Sequence, residues 1–325
     1  MNSPTTKGSH PDAQSVGDLV GQAFQIYRAN IAVWFKFLLV PTIFVLIGRV
    51  LFQVSTAGMT AGKAGEGSKE FMLLLFGIAS LVALGARWFL YLRQLALVRI
   101  VNGLSSDLID AFKVVVNRQG ALLAVGFLVG LLVVVVSAAC GLTVVVSAFL
   151  FRKGSPLAFV PIIMVYASFF SWLVSIGFVY TAAFLISCAA VCEKIPVSQV
   201  IGKGLKLSVR SFPRTLLGGF LITATLTVLG PPLWLPVLIY YAVDAFRIGY
   251  DASGGNLPLH WQIIGAAWES IVDMVVWPVC FIFYGLYYTD MKIRQEGQDM
   301  VDELAILKVN YEAENTPGAS LGSTA

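Results

Sequence analysis

The sequence predicts an all-α integral membrane protein with six transmembrane helices in three repeats, each of one cytoplasmic-face amphipathic helix plus two spans. Three observations predict this fold: six long apolar runs, a low content of charge, and an amphipathic segment before every second run. Hydrophobic residues make up 58% of the 325 residues and charged residues 12%, with a mean hydropathy of +0.81. Soluble domains carry roughly twice that share of charge, so this chain cannot cover an aqueous surface.

Each apolar run is long enough to cross a bilayer, because about 20 helical residues span ~30 Å of hydrocarbon. In chain order the runs cover 31–54, 71–92, 120–150, 156–191, 214–246 and 264–288. Several exceed the bilayer thickness, so they must tilt, extend into water or break. The expected break lies at Pro231, Pro232 and Pro236, which leaves 230–246 either a continuous span or a bent, re-entrant segment.

A short amphipathic helix precedes the first, third and fifth runs. If Phe24, Phe112 and Leu205 are equivalent positions, the period is 88 and then 93 residues. The polar residues that follow them are Gln25, Lys113 and Lys206. The predicted organisation begins with a disordered N-terminal tail at 1–15. Three repeats follow at about 16–103, 104–194 and 195–300, and a polar C-terminal tail covers 301–325. The alternative explanation is that amphipathic linkers arise wherever a chain leaves a bilayer.

The basic residues predict the orientation of the chain. Six spans place both termini on one side of the membrane. Of the 22 Lys and Arg residues, 14 lie on that side, five on the opposite side and three within spans. By the positive-inside rule, both termini and all three amphipathic helices are cytoplasmic. We therefore expect a multi-pass protein of a bacterial cytoplasmic (inner) membrane.

The third amphipathic helix carries the clearest basic stripe, formed by Lys203, Lys206 and Arg210. Basic residues at a cytoplasmic membrane surface attract anionic headgroups by about 1 kcal/mol each. These three residues are candidate lipid-headgroup contacts. A simple topology signal explains the same charges.

Charged residues within the spans are candidates for function, because burying charge in a bilayer is unfavourable. Glu269 and Asp273 are one turn apart in the last run, Arg49 lies toward the outer end of the first, and Arg87 lies within the second. An ion pair among them reduces the unfavourable burial, and an ion or proton relay is the functional alternative. Arg93 is expected to extend toward lipid headgroups at the cytoplasmic boundary.

Small residues form one face of the third run. Gly126, Gly130, Ser137 and Gly141 share this face, and such residues allow helix backbones to approach closely in lipid. The face is expected to pack inside the bundle, with homodimerisation as the alternative.

The most distinctive motif follows the last span and includes Tyr287, Tyr288, Asp290, Arg294, Glu296 and Gly297. It resembles the Tyr-Tyr-x-Asp-x-x-x-Arg-x-Glu-Gly-x-Asp ending of bacterial multi-span proteins related to the glycerophosphoryl diester phosphodiesterase membrane domain. The resemblance extends over most of 16–300 by pattern and placement. It implies a six-span membrane module, here without the catalytic domain that some relatives carry.

Physically, this C-terminal motif is typical of an interface anchor. Tyrosine rings favour the membrane boundary, Asp290 and Arg294 are placed to pair along a helix, and Gly297 is placed to end it. A docking site for a cytosolic partner is the functional alternative.

No catalytic, cofactor-binding or metal site is predicted. The chain has two histidines, His10 and His260, and its four cysteines lie in or at the end of apolar runs. The enzyme resembled would need a His-Arg-Gly signature and metal-binding carboxylates. We therefore expect a non-catalytic membrane scaffold or accessory module that contacts anionic lipid or another membrane protein, and no nucleic acid. The alternatives are a small-solute transporter or channel that uses Arg49, Arg87, Glu269 and Asp273 and, with least support, a membrane-embedded enzyme acting on lipid.

Overall fold

The computed structural model describes residues 14–60, 66–152, 159–193, 195–249 and 258–314. These residues form eight helices and no strand. The helices are α1 (Val16–Thr60), α2 (Glu66–Val101), α3 (Leu108–Asn117), α4 (Gln119–Arg152), α5 (Phe159–Cys192), α6 (Val197–Arg210), α7 (Phe212–Ile248) and α8 (Leu259–Glu314).

Six helices of the described part are long and apolar enough to cross a membrane, which confirms the six predicted spans. Their candidate spans are Val16–Met59, Lys69–Val101, Gln119–Leu150, Ile162–Cys192, Phe212–Ile248 and Leu259–Gln295. The chain is therefore a multi-pass membrane protein by length and composition.

The three predicted amphipathic segments are helical. Two of them form α3 and α6, immediately before α4 and α7. The first is the beginning of α1, which leaves helical geometry at Asn30 (φ −124°, ψ 15°), just before the apolar run 31–54. Ser15 and Asp18 cap this segment reciprocally, since the Asp18 N–H donates to Ser15 Oγ over 3.1 Å and the Ser15 N–H donates to Asp18 Oδ2 over 3.2 Å.

α8 is the central helix of the bundle. Of the residues in its most apolar window, 61% are buried, against 33% or less in each of the other five spans. It packs mainly against α1 and α2, and Phe281, Ile282 and Phe283 are fully enclosed. By contrast, α4 packs chiefly on α5, and both helices expose most of their large apolar side chains. Such exposure is what lipid-facing helices require.

Of the two alternatives left open for 230–246, the structure has the continuous span. α7 runs continuously from Phe212 to Ile248 with Pro231, Pro232 and Pro236 inside it. A proline removes one backbone hydrogen bond, whereas breaking a helix in hydrocarbon would leave several groups unpaired. Two side-chain bonds also hold this half of α7 to α8: the Trp268 indole donates to the Leu233 carbonyl over 2.7 Å, and the Tyr241 hydroxyl donates to the Trp261 carbonyl over 2.6 Å.

The expected helix end at Gly297 is wrong. α8 continues through Gly297 to Glu314, so residues 301–314 of the polar C-terminal tail are helical. An interior glycine destabilises a helix by about 1 kcal/mol, and the following stretch, rich in Glu, Leu and Ala, compensates for it. Of the two predicted tails, residues 1–13 and 315–325 lie outside the described residues.

The glycine face of α4 does not pack inside the bundle, contrary to expectation. A Cβ built on Gly126, Gly130 or Gly141 would meet nothing within 4 Å. Ser137, the fourth residue of that face, does contact α5, because it accepts a hydrogen bond from the Trp172 indole over 3.2 Å.

Close backbone approach between helices occurs elsewhere, at Gly48 and Gly204. A Cβ on Gly48 of α1 would lie 2.8 Å from Ala83 Cα of α2, and one on Gly204 of α6 would lie 2.7 Å from Ile186 Cα of α5. Both positions therefore exclude any side chain.

Candidate functional site

The charged residues predicted within the spans meet in one cluster. Arg49 of α1 lies with Nη2 3.0 Å from Glu269 Oε1 and 2.9 Å from Asp273 Oδ2 of α8, and its Nη1 donates to Ser270 Oγ over 3.2 Å. Glu269 and Asp273 are four residues apart on one helix, so both carboxylates project toward α1. The ion pair proposed from the sequence is present.

Burial differs sharply among the members of this cluster. The side chains of Arg49 and Asp273 are 14% and 20% exposed, whereas that of Glu269 is 49% exposed. A buried charge is strongly unfavourable without a partner, so Asp273 is the principal counter-ion of Arg49. The Trp277 indole donates to the second Asp273 oxygen, Oδ1, over 3.1 Å.

Arg87 of α2 joins the cluster more loosely. Its Nη2 lies 4.0 Å from Asp273 Oδ2, and its side chain is 55% exposed. Asp273 already accepts hydrogen bonds from Arg49 and Trp277, so it compensates the positive charge of Arg87 only in part. Much of the Arg87 guanidinium is available to a further group.

Arg87 and Asp273 lie in the wall of a cavity of about 450 Å³ bounded mainly by α2, α4, α5 and α8. This volume falls within the roughly 300–1,000 Å³ of typical small-molecule sites. Most of the lining is apolar or aromatic, including Trp88, Phe184, Trp277 and Phe281. The site therefore combines an apolar interior with a guanidinium in its wall.

A second polar level of the cavity lies further along α2. Gln94 follows Arg87 by seven residues, two helical turns, so both line the cavity about 10 Å apart along the helix axis. Tyr91 and Ser187 also line it, and the Tyr91 hydroxyl donates to Ser187 Oγ over 2.9 Å.

The cavity opens on one flank of the bundle. Its lining residues Leu84 of α2, Gly126 of α4 and Tyr180 of α5 are all exposed. These residues lie within candidate spans, on a surface that is otherwise apolar. The opening therefore faces the surroundings of the spans rather than either end of the bundle.

The tyrosines of the C-terminal motif are placed differently from the expectation that they anchor a lipid boundary. Tyr287 and Tyr288 are 0% and 2% exposed, so their rings face protein. The Tyr287 ring stacks on Phe283 with centroids 5.6 Å apart, and the Tyr288 hydroxyl donates to Glu193 Oε1 over 2.5 Å. The reason is that α8 is the central helix, so this part of it is enclosed by its neighbours.

Glu193, at the end of α5, joins α6 and α8 at this end of the bundle. Lys203 Nζ lies 2.7 Å from its Oε2, and Lys292 Nζ lies 3.2 Å from its Oε1. Burial alone would raise the pKa of the Glu193 carboxyl, but hydrogen bonds from Lys203, Tyr288 and Lys292 outweigh it and hold that pKa below its ordinary value. Glu193 was not among the predicted site residues, because its partners are remote in sequence.

The basic stripe of α6 is therefore divided. Lys203, one of the three predicted headgroup contacts, turns toward Glu193 and pairs with it. Lys206 and Arg210 are exposed, beside exposed Leu205 and Val209.

Asp290 and Arg294 of the motif pair as predicted, with Arg294 Nε 3.0 Å from Asp290 Oδ2. Arg214 of α7 also binds this carboxylate, with Nη2 2.6 Å from Oδ2. Both arginines donate to the Gln14 carbonyl, over 2.8 Å from Arg214 and 2.9 Å from Arg294. The motif thus joins α7, α8 and Gln14, which lies two residues before α1. The side chain of Glu296 lies outside the described residues.

Arg93 does not extend to headgroups as expected. Its guanidinium carbon lies 4.8, 4.9 and 5.6 Å from the ring centroids of Phe37, Phe89 and Phe112, and it donates to the Phe37 carbonyl. Cation–π contacts and a carbonyl acceptor replace the headgroup inside the protein.

At the opposite end of the bundle, Asp244 of α7 binds the start of α8, a contact that the sequence analysis missed. His260 Nε2 lies 2.8 Å from Asp244 Oδ2, and the Trp261 indole donates to the same oxygen over 2.6 Å. Across the described ranges, no three His, Cys, Asp or Glu side chains are grouped so that they could hold a metal ion.

The chain was compared with protein-family models, with curated proteins and with solved structures, and none of the three comparisons finds a match.

Proposed function

We propose that the protein is a non-catalytic membrane accessory module that binds an acidic amphiphile in the cavity beside Arg87. The observation that carries this proposal is the cavity itself, which combines aromatic and aliphatic walls with an incompletely compensated guanidinium. The walls suit an apolar chain, and the guanidinium suits its acid group.

The charge balance of the cluster supports an anion rather than a cation. Asp273 is occupied by Arg49 and Trp277, and Glu269 pairs with Arg49 and does not line the cavity. The charged group left to meet a ligand is therefore Arg87. Its position in the middle of α2 places the bound acid well within the candidate span Lys69–Val101.

Binding of a long-chain fatty acid and of its methyl ester to the purified protein in lipid nanodiscs tests the proposal. We expect the acid to bind and Arg87→Ala to weaken it about 10- to 100-fold, as befits the loss of a hydrogen bond to a charged group. Lys36→Ala is the control, because Lys36 is an exposed basic residue of another span and does not line the cavity. This variant should bind the acid as wild type does. The proposal would be contradicted if the acid and the ester bound equally well. It would also be contradicted if Arg87→Ala and wild type bound the acid equally well.

Contact with anionic lipid at the cytoplasmic face is the second part of this proposed role. Lys206 and Arg210 are exposed on α6 next to exposed Leu205 and Val209, and Phe212 follows them. Apolar residues flanked by basic ones suit a helix lying in the headgroup region. Another membrane protein is the alternative partner, and neither role requires nucleic acid.

We also propose the orientation and ancestry indicated by the sequence. The distribution of Lys and Arg supports a bacterial inner membrane with both termini cytoplasmic. Helices α3, α6 and the first part of α1, each ahead of two spans, support three repeats. The motif from Tyr287 to Gly297 supports a relation to proteins with the glycerophosphoryl diester phosphodiesterase membrane domain.

Transport of a small solute is the second candidate function. The observation that favours it is that Arg49, Arg87, Glu269 and Asp273 meet within the spans, where charges often mark an ion path. A transport function requires that the protein carry small anions into liposomes and that Arg87→Ala abolish this flux. Amphiphile binding without such flux would exclude transport and support the first proposal.

A further inference from the structure

Gln94 is a buried polar residue that the proposed acid at Arg87 does not use. The residue is 4% exposed and lines the cavity, about two turns of α2 beyond Arg87. Within the described ranges, no hydrogen bond pairs its amide with another residue, whereas nearby Tyr91 and Ser187 are bonded to each other. The amide therefore faces an otherwise apolar space with its two donors and one acceptor unused.

An amide in this position is unfavourable unless something in the cavity bonds to it. Leaving a buried amide without a partner destabilises a protein by about 1–3 kcal/mol in mutational measurements. Among the residues that line the cavity, Leu90, Trp88 and Phe184 offer no side-chain acceptor, and the hydroxyls of Tyr91 and Ser187 are bonded to each other. The ligand group that fits is a hydroxyl, which both accepts and donates hydrogen bonds, or a carbonyl, which only accepts them.

We infer that the ligand of this cavity is a fatty acid that carries a hydroxyl or carbonyl group along its chain, bound by Gln94 while Arg87 binds the acid. The inference rests on the proposed function, because it takes the acid to lie at Arg87. The two polar groups of the ligand are then separated by about 10 Å, the rise of two helical turns. The apolar segment between them lies against Leu90 and the aromatic wall.

The test compares plain octadecanoic acid with two isomers of hydroxyoctadecanoic acid. One isomer carries its hydroxyl near mid-chain, and the other carries it beside the carboxyl group. Each is titrated into the full chain in nanodiscs, and the ratio of dissociation constants is the readout. We expect the mid-chain isomer to bind about five-fold more tightly than the plain acid, the effect of one neutral hydrogen bond. The isomer with the adjacent hydroxyl gains nothing, since that group lies far from Gln94.

Two variants assign the preference to Gln94. Gln94→Leu keeps the size of the side chain and removes its polar atoms, so the ratio falls to about one, the loss of one neutral hydrogen bond. Gln53→Leu replaces a half-buried glutamine of α1 that does not line the cavity, so the five-fold ratio is retained.

The outcomes separate the two proposals. If wild type binds the plain and mid-chain acids equally, or if Gln94→Leu keeps the preference, the inference about Gln94 is overturned while acid binding at Arg87 stands. If wild type binds none of the three acids, the proposed function itself fails.

Discussion

Asp273 shows how far single charges can be understood from a sequence. Glu269 and Asp273 at helical spacing, with Arg49 in another span, predict an ion pair because hydrocarbon leaves charges no other favourable state. The structure contains that pair. The bond from Trp277 and the looser contact with Arg87 could not be predicted, since they depend on how α2 and α8 are rotated.

The two carboxylates of the cluster are expected to differ in their contribution to stability. Asp273→Asn should lower the free energy of unfolding by about 3 kcal/mol, because it leaves buried Arg49 without its principal counter-ion. Glu269→Gln should lower it by about 1 kcal/mol or less, since its side chain is 49% exposed. Equilibrium unfolding in mixed micelles measures both values. Equal losses would contradict the assignment of Asp273 as the principal counter-ion.

Glu193 makes the stability of the protein sensitive to acid. Because its pKa in the folded protein lies below the ordinary 4.5, its stabilisation is complete above that value and is lost as the pH falls through the lowered pKa. We expect the Tm of wild type to drop on acidification below 4.5, and Glu193→Gln to lower Tm at pH 7 and to lose this part of the drop.

Glu70→Gln is the matched control, because Glu70 is exposed near the start of α2. It should follow the wild-type curve. An unchanged acid dependence in Glu193→Gln would show that the bonds from Lys203, Tyr288 and Lys292 do not stabilise the fold.

Individual helices were predicted well in number and poorly in their ends and faces. Run length identifies a span reliably, because every backbone group in a bilayer must be bonded within the helix. The same requirement carries α7 through three prolines, so proline does not end a helix there as it would in water. Which face packs is harder to predict, because a helix such as α4 is apolar on all sides and its periodicity carries no signal. This is why the sequence gives no reliable sign that Gly126 lies on an exposed face of α4.

The packing of α6 on α5 can be tested at two nearby glycines of α6, Gly202 and Gly204. Gly204→Ala would place a methyl group 2.7 Å from Ile186 Cα, and backbone cannot move aside as a side chain can. We expect a loss of about 1–3 kcal/mol in the free energy of unfolding.

Gly202→Ala is the matched control on the same helix. A Cβ there meets nothing within 4 Å, so this change should be neutral or stabilise α6 by up to about 1 kcal/mol. If both variants behave alike, α6 does not lie against α5 as described.

The arrangement of the bundle depends on contacts that join distant parts of the chain. Asp290 binds Arg294, which a spacing of four residues predicts, and Arg214, which lies 76 residues away. Tyr288 and Glu193 are 95 residues apart. Composition and periodicity therefore predict six spans, but they do not predict that α8 is the central one or that residues of α2, α4, α5 and α8 line a common cavity.

The orientation of the bundle can be measured directly. In a background with all cysteines replaced, Ser3→Cys and Ser323→Cys should react with a membrane-impermeant maleimide from the same side, in inverted inner-membrane vesicles. Ser253→Cys, between α7 and α8, should react only in vesicles of the opposite orientation. Labelling of the two chain ends from different sides would contradict an even number of spans.

The flank opening at Leu84, Gly126 and Tyr180 makes the bilayer a reservoir for whatever occupies the cavity. A molecule that arrives sideways is present at the concentration set by its partitioning into lipid, not by its level in water. Each added methylene enriches it there about four-fold, because withdrawing one CH₂ from water is favourable by ~0.8 kcal/mol. Longer-chain homologues would thus fill the cavity at lower aqueous doses even if they touched the same side chains.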